Sequence, residues 1–337
     1  MEHFGTTAEG LPVHRVTLRG GGLTARVLTW GAVLQDLRLD GHPHPLVLGF
    51  EAFDDYPAHS PWFGAVVGRY ANRIAGAQVV LDGRTHRLPE NWLGRHTLHG
   101  GDGGIGARVW QLAEAGPDHL RLTLVDPDGT DGFPGTLRVS CTYRLGPGPR
   151  LSLVLEAETD RATPCSLAPH SYVNLDDGGA GDMLDHRLTL AAGAMLPVDG
   201  DLIPQGPPAP VAGSRFDFRS PRPLRQTEGG AQFPYDHCFC LSRGPRPLTP
   251  VARLCAARSG LTMVLATTEP GLQLYAGSGL GPPVAGLGGR RYGPFAGVAL
   301  EPQGWPDAPN RPDFPCAILR PDAPYRHQTD WHFAWTR

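Results

Sequence analysis

The sequence predicts an all-β protein, a large sandwich of two curved antiparallel sheets with few short helices. Three observations support this fold class. Short apolar runs alternate with polar residues at a period of two, and apolar patterns at the helical period of about 3.6 residues are nearly absent. The 45 glycines and 35 prolines of the 337-residue chain are scattered between these runs without a repeat, which is typical of a many-stranded protein.

Alternation is clearest in the middle of the chain. Every second residue is apolar from Leu137 to Leu145 and again from Leu151 to Ala157, and Gly146–Pro149 between the two runs predicts a hairpin loop. Leu120–Leu124 has the same pattern. The other predicted elements are strands at Leu23–Trp30, Leu261–Thr267 and Trp331–Trp335 and a short helical turn near Ala52–Tyr56.

No composition shift or charge run divides the chain. The proline-dense stretches at residues 204–210 and 221–223 are short and are flanked by strand-like runs, so we interpret them as surface connections. We therefore expect residues 1–337 to form one domain.

Composition excludes several classes of function. The formal net charge is −3 and like charges do not cluster, which argues against nucleic acid and anionic membranes as partners. The chain has no lysine, which excludes Schiff-base catalysis. Residues 1–11 lack the features of a signal peptide and no apolar stretch approaches about 18 residues, so we expect a cytoplasmic protein without a membrane span. The six dispersed cysteines predict buried thiols rather than disulfides.

Residue types suited to catalysis occur in five segments, among small and aromatic residues. They are residues 68–74 (Gly-Arg-Tyr-Ala-Asn-Arg-Ile), 97–101 (Thr-Leu-His-Gly-Gly), 169–175 (Pro-His-Ser-Tyr-Val-Asn-Leu), 235–237 (Tyr-Asp-His) and 300–310 (Leu-Glu-Pro-Gln-Gly-Trp-Pro-Asp-Ala-Pro-Asn). Outside them, His42 and His44 have no carboxylate cluster nearby, so we predict no metal site.

Two residues are candidate proton-transfer groups. Glu301 follows the apolar run Val298–Leu300 and is expected at the end of a core strand, where partial desolvation raises a carboxyl pKa toward that of a useful base. The alternative is a strand-end glutamate in a salt bridge. His170 precedes an aromatic and apolar strand, and histidine titrates near neutrality. The alternative is a structural histidine bonded to a backbone carbonyl.

Five further residues suit the recognition of a sugar. Arg73 offers a fork of donors, and Asn72, Asp236 and Gln273 offer partners for vicinal hydroxyls. His99 precedes two glycines, which would let it approach a ligand closely; the alternative is a turn histidine. Three aromatic residues suit either stacking on a sugar face or packing in the core, namely Trp92, Tyr275 and Trp305.

Taken in this order, the five segments resemble the aldose 1-epimerase (galactose mutarotase) family. Residues 68–74 are similar to its Gly-Arg-x-Ala-Asn-Arg-Ile signature, and the matches continue with Leu-His-Gly-Gly around His99, His-Ser-Tyr-x-Asn-Leu from His170, Asp-His at Asp236 and Leu-Glu-x-Gln from Leu300. Weaker similarities fill the gaps, so the resemblance extends over nearly the whole chain. The chain departs from the usual family residues at 166–169, at Val173 and at 304–305.

The resemblance implies a sandwich of the mutarotase-like supersandwich type, with the sugar site in a cleft on one sheet. It implies ring opening and reclosure of a free galactose-like or glucose-like aldose, without a cofactor or a metal. In that assignment Glu301 is the catalytic base and His170 the catalytic acid. The implied sugar-binding residues are Arg73, Asn72, His99, Asp236 and Gln273.

The sequence leaves three other functions open. A glycoside hydrolase would need a second carboxylate beside Glu301, with Asp236 or Asp307 as the candidate. A sugar-phosphate epimerase would need additional arginines at the cleft, and Arg290 and Arg291 are the candidates. A non-catalytic carbohydrate-binding protein would have no need of Glu301 together with an imidazole. The sequence also leaves open the preferred aldose and the choice between monomer and homodimer.

Overall fold

The structure is a computed structural model that describes residues 1–60 and 62–335. Within these residues the secondary structure is mainly β-strand, with one short α-helix, α1 (Asp55–His59). Short 3₁₀ helices span Ala75–Ala77, Ile105–Ala107, Thr130–Gly132, Leu287–Gly289 and Ala308–Asn310. No helix in this part of the chain has the length and hydropathy that crossing a bilayer requires.

The strands are numbered in chain order. The first half of the chain contains β1 (Glu2–Thr6), β2 (Pro12–Gly20), β3 (Leu23–Leu28), β4 (Leu34–Leu39), β5 (Val66–Val67), β6 (Arg73–Ile74), β7 (Gln78–Leu81), β8 (Arg84–Arg87), β9 (Thr97–Leu98), β10 (Gln111–Ala115), β11 (His119–Asp126), β12 (Leu137–Leu145), β13 (Arg150–Thr159), β14 (Thr163–Pro164) and β15 (Ala168–Pro169). The second half contains β16 (Tyr172–Val173), β17 (Arg187–Leu190), β18 (Ala194–Met195), β19 (Ala209–Pro210), β20 (Arg222–Pro223), β21 (Thr227–Glu228), β22 (Ala231–Gln232), β23 (Asp236–Cys240), β24 (Thr249–Cys255), β25 (Leu261–Thr267), β26 (Gly271–Tyr275), β27 (Val298–Gln303), β28 (Ile318–Leu319) and β29 (Tyr325–Trp335).

Antiparallel pairing assembles most of these strands into three larger sheets. A nine-stranded sheet has the order β10-β11-β12-β13-β29-β25-β24-β17-β20, and a six-stranded sheet has the order β16-β27-β26-β23-β18-β19. The N-terminal strands β1 to β4 form a four-stranded sheet in sequence order. Two-stranded pairings such as β6 with β9 and β5 with β15 connect the remaining segments.

The largest hydrophobic cluster joins apolar side chains from all three sheets. From the nine-stranded sheet it includes the alternate residues from Leu137 to Leu145 and from Leu151 to Ala157. The six-stranded sheet contributes Leu272, Leu274 and Leu300, and the four-stranded sheet contributes residues of β2 to β4. Burial of this apolar surface is the main source of stability for such a packing of sheets.

The structure confirms the predicted all-β class. Leu145 pairs with Leu151 across the Gly146–Pro149 loop, and β25 has the bounds predicted for that strand. The helical turn that the sequence predicted near Ala52–Tyr56 overlaps α1 but begins too early, because α1 runs from Asp55 to His59. All six cysteines are free, but only Cys141, Cys165 and Cys238 are buried; Cys240 and Cys255 are partly exposed and Cys316 is exposed, so the prediction of buried thiols is wrong for these three.

A buried arginine anchors the segment that follows β5. Arg69 is 1% exposed, and its Nε and Nη2 donate to Asp126 Oδ2 at 2.9 and 2.6 Å. Its Nη1 donates to the carbonyl oxygens of Pro134 and Gly135 at 3.0 and 2.7 Å. Every one of these acceptors is far along the chain, so Arg69 ties this segment to the β11–β12 region. Charged hydrogen bonds of this kind are among the stronger ones in proteins.

We expect Arg69→Met to lower the free energy of unfolding by about 3 kcal/mol, because it removes the donors to Asp126 Oδ2 and to the Pro134 and Gly135 carbonyls, while Arg108 still donates to Asp126 Oδ1. Chemical denaturation followed by circular dichroism measures this change. The control is Arg95→Met, which removes an exposed ion pair with Asp201 and should leave the denaturant midpoint of unfolding almost unchanged. Equal midpoints for the two variants would contradict the anchoring role.

Candidate active site

Three adjacent strands of the six-stranded sheet place polar residues on the face opposite the main core. In β27, Val298 and Leu300 belong to the main cluster, so Ala299, Glu301 and Gln303 face the other way. Glu301 is 2% exposed and lies inside β27, two residues before its end. The prediction that Glu301 ends its strand is therefore wrong, and its carboxyl is buried more completely than a strand end would allow.

Register brings the partners of Glu301 to the same face. Gln273 of β26 lies directly opposite Glu301, and Asp236 of β23 lies opposite Tyr275. Gln273 Nε2 donates to Asp236 Oδ1 at 2.5 Å, and Arg73 Nη2 donates to Asp236 Oδ2 at 3.1 Å. Both oxygens of this carboxylate are thus held by donors that come from different segments.

Two short loops present an asparagine, an arginine and a histidine to this face. The His99 N–H donates to the carbonyl oxygen of Asn72 at 3.0 Å, and the Asn72 N–H donates to His99 Nδ1 at 3.1 Å. Asn72 Oδ1 in turn accepts the Arg73 N–H and Nη1–H at 2.9 and 3.2 Å. The guanidinium of Arg73 also lies 4.5 Å from the ring centroid of Trp92.

A glycine allows these two loops to meet. Gly100 has a φ of +87°, and a Cβ at this position would lie 2.2 Å from the carbonyl oxygen of Gly68. Any larger residue would push the His99 loop away from the Gly68–Arg69 backbone. Gly100 therefore allows contact between two backbones, whereas the sequence had suggested that the glycines after His99 allow close approach to a ligand.

His170 reaches the site from the connection between β15 and β16. The backbone of this residue is fixed on both sides, since its N–H donates to Ala65 at 2.8 Å and its carbonyl accepts from Gly64 at 3.1 Å. Its Nε2 lies 3.5 Å from Glu301 Oε2. Within the described residues neither His170 Nδ1 nor Glu301 Oε2 has a hydrogen-bond partner, so the carbonyl-bonded structural role does not apply to this ring.

Burial shifts the pKa of each titratable group toward its neutral form. Burial, reinforced by the negative charge of Asp236, raises the pKa of Glu301 well above its ordinary value. Burial lowers the pKa of His170 to about 4. Burial lowers the pKa of His99 well below its ordinary value, with a further contribution from the nearby His170 and Arg73. Burial of the three groups therefore favours a protonated carboxyl beside neutral imidazoles.

These groups line one cavity of about 310 Å³. All the predicted site residues line it except Gln273, which is buried behind Asp236. Trp92 and Tyr275 also line it, whereas Trp305 is a core residue whose Nε1 donates to the Pro270 carbonyl. Sequence reasoning gave no role to the other lining residues, of which only Leu98 and Tyr172 belong to the five segments; they are Trp62, Leu98, Tyr172, Leu202, Pro234, Ser278 and Gly279.

The cluster of His99, His170 and Glu301 also has the composition of a metal site. One potential ligand atom from each lies within 4.8 Å of the other two. His99 Nδ1, however, accepts the Asn72 N–H, so the neutral ring carries its proton on Nε2 and has no lone pair there for a metal. The arrangement suits a hydrogen-bond donor aimed at a hydroxyl better than a metal ligand.

Comparison with known proteins identifies close relatives. A sequence profile described as aldose 1-epimerase matches residues 14–332. The galactose mutarotase of Rattus norvegicus is 39% identical over 331 residues, covering 96% of this chain and 95% of that protein. The aldose 1-epimerase of Escherichia coli is 34% identical over 341 residues, covering 96% of each.

Solved structures show the same fold. The crystal structure of an aldose epimerase homologue from C. elegans superposes with a TM-score of 0.89 at 29% identity, covering 96% of this chain and 100% of that one. The galactose 1-epimerase of Lactobacillus acidophilus superposes with a TM-score of 0.84 at 28% identity, covering 99% and 98%.

We expect the His99 imidazole to be neutral at neutral pH and to carry its proton on Nε2, because burial lowers its pKa and the Asn72 N–H occupies Nδ1. Long-range ¹H–¹⁵N correlation spectra distinguish the two tautomers directly. His119 is an internal contrast, since the hydrogen bonds that its ring donates to the Asp118 and Glu114 carboxylates raise its pKa. A protonated Nδ1, or a His99 ring that titrates like free histidine near about 6.5, would contradict the assignment.

Proposed function

This chain belongs to the aldose 1-epimerase family, and we propose that it interconverts the α and β anomers of a free galactose-like or glucose-like aldose. The observation that carries the proposal is the buried pair of Glu301 and His170, with Oε2 and Nε2 3.5 Å apart in a cavity of about 310 Å³. A cavity at the small end of the range for ligand sites suits a single sugar ring.

The two groups have complementary roles in opening the ring. Glu301 removes the proton from the anomeric hydroxyl while His170 delivers a proton to the ring oxygen, and the bond between C1 and the ring oxygen breaks. Rotation about the C1–C2 bond then presents the other face of the aldehyde. Reversal of both proton transfers closes the ring as the other anomer and restores both groups. Since nothing is oxidised or reduced, we expect the reaction to need no cofactor.

The remaining polar groups fit the binding of sugar hydroxyls. Asp236 is held by Arg73 and Gln273, so its carboxylate and the Arg73 guanidinium can engage vicinal hydroxyls together. We assign Gln273 a binding contribution that acts through Asp236. His99 offers its Nε2–H as a donor, and Asn72 contributes by orienting both Arg73 and His99.

One proton shared by Glu301 and His170 sets the pH range in which the pair is active. Burial favours neutral Glu301 and neutral His170, whereas catalysis uses the carboxylate with the imidazolium. These two states contain the same number of protons and differ only in where one proton lies. The active form is therefore a constant fraction of the enzyme as long as the pair holds a single proton.

The alternative functions lack support from the geometry. Asp307 accepts the Ala75 N–H at 2.9 Å and does not line the cavity, and both oxygens of Asp236 are engaged, so neither resembles a glycosidase partner for Glu301. Of the two arginines considered for phosphate, Arg290 donates to the Asp177 carbonyl and to His44 at 2.8 and 2.6 Å. Arg73 is the one cationic side chain among the described cavity residues, which fits a free sugar.

Three broader features belong to the same proposal. We propose a single domain, supported by a hydrophobic cluster whose members extend from Val16 to Phe333. We further propose a cytoplasmic enzyme that acts as a monomer or homodimer on a small-molecule aldose, without nucleic acid or membrane as a partner. The net charge of −3 and the absence of like-charge clusters in the sequence support the last point.

We expect Glu301→Gln to reduce kcat by at least about 10²-fold while sugar binding largely survives, because the amide keeps the shape of the carboxylate and loses its basicity. Polarimetry of freshly dissolved α-galactose or α-glucose measures turnover. The matched control is Glu269→Gln, a buried glutamate whose pKa burial raises to about 8 and which lies outside the cavity. Near-normal mutarotation by Glu301→Gln would remove Glu301 from the base role.

The pH profile of kcat/KM should be a plateau between the lowered pKa of His170 and the raised pKa of Glu301. On the acid side activity falls at about pH 4, where His170 takes a second proton onto a pair whose Glu301 is already protonated. On the alkaline side it falls as the raised pKa of Glu301 is passed, because the pair then has no proton to give the ring oxygen. A loss of activity centred near about pH 6.5, the ordinary value for histidine, would contradict this order of protonation.

A further inference from the structure

Trp62 lies beside the two histidines of the cavity. Its ring centroid is 4.7 Å from that of His99 and 6.1 Å from that of His170. Trp62 lines the cavity and remains 36% exposed, more than is usual for so large an aromatic residue. Its indole ring is therefore available to a ligand as an apolar surface.

The backbone at Trp62 has an uncommon conformation for a bulky residue. Its φ is +59°, in the left-handed region that favours glycine, and its carbonyl accepts the Ala65 N–H at 3.1 Å just before β5. Non-glycine residues in this region cluster at ligand sites, where the surrounding structure offsets the unfavourable conformation.

We propose that Trp62 determines substrate specificity by covering the substituent on C5 of the bound aldose. This inference rests on the proposed function, since the roles of Glu301 and His170 orient the sugar. Glu301 acts at the hydroxyl of C1, and His170 acts at the ring oxygen. The other carbon bonded to that oxygen is C5, so C5 lies beside His170 and away from the hydroxyl of C1. Trp62 lies against His170 and His99 and covers this part of the ring.

The chemistry of C5 suits an aromatic surface. In an aldohexose C5 bears a hydrogen and a hydroxymethyl group, whose C–H bonds form an apolar edge on an otherwise polar sugar. An indole ring packs against such an edge and excludes water from it. The matching aldopentose has only hydrogens at C5 and offers a smaller contact. Trp62 therefore favours hexoses over pentoses of the same ring configuration.

Trp62 also separates the cavity from a second one. The neighbouring cavity has a volume of about 850 Å³ and includes Trp62, Trp30 and Tyr56 in its lining. The indole thus closes one wall of the catalytic cavity as well as facing the sugar. Removing the ring would expose the C5 side of the bound sugar to water from the neighbouring cavity, which adds to the loss of contact.

The test compares sugars that differ only at C5. D-Galactose pairs with L-arabinose, and D-glucose with D-xylose, because each pentose has the ring configuration of its hexose and lacks the hydroxymethyl group. We expect Trp62→Ala to lower kcat/KM about tenfold for the hexoses and less than about threefold for the pentoses. Polarimetry on each pure anomer gives the ratio of hexose to pentose kcat/KM. Trp62→Phe should retain most of the wild-type ratio.

Trp335→Ala is the matched control, since Trp335 is 46% exposed and packs beside His42. The ratio of hexose to pentose kcat/KM in Trp335→Ala should equal that of the wild type. If Trp62→Ala does not fold, Trp62→Leu gives the same comparison with less lost volume. Equal losses for hexose and pentose in a folded variant would overturn the specificity role and leave the proposed function intact. Wild-type protein that anomerises none of the four sugars would overturn the proposed function itself.

Discussion

A carboxyl group buried inside a β-sheet is the constraint on which the site depends. Glu301 is 2% exposed in the middle of β27, where water cannot stabilise its charge. Its neighbours must therefore either supply a proton or tolerate the protonated form. His170 meets both requirements. Its Nε2 lies 3.5 Å from Glu301 Oε2, so one proton can lie on either group. The burial that makes the carboxylate unfavourable also makes it a strong enough base to deprotonate a sugar hydroxyl.

The rest of the site keeps that pair free to transfer protons. Asp236 also carries negative charge, and Arg73 and Gln273 hold its two oxygens, so it does not compete for the proton on His170. His99 is fixed as a donor by the Asn72 backbone. Each neighbour of the pair therefore has a defined role as donor or acceptor before a ligand arrives, which is the preorganisation that catalysis requires.

The sequence predicts the fold and the identity of the reacting groups better than their arrangement. Alternation identifies strands such as Leu137–Leu145, because one buried and one exposed face leave a period of two in the chain. Motifs single out Glu301 and His170. Residues whose role comes from their position in the folded chain, such as Trp62, were missed. Trp62 belongs to no motif, and its position follows from a backbone turn and from packing against His99. Contacts between segments far apart in the chain leave no local pattern.

The two arginines of residues 68–74 show why a matching motif does not by itself assign a role. Arg69 and Arg73 are both almost fully buried, and both bond to an aspartate from a distant segment. Arg69 reaches Asp126 and two backbone carbonyls that do not line the cavity, so its bonds hold the segment in place. Arg73 reaches Asp236 inside the cavity and has a buried Nε without a partner in the described residues. A donor left unpaired beside a cavity indicates a ligand, and a donor set fully paired within the protein indicates a structural role.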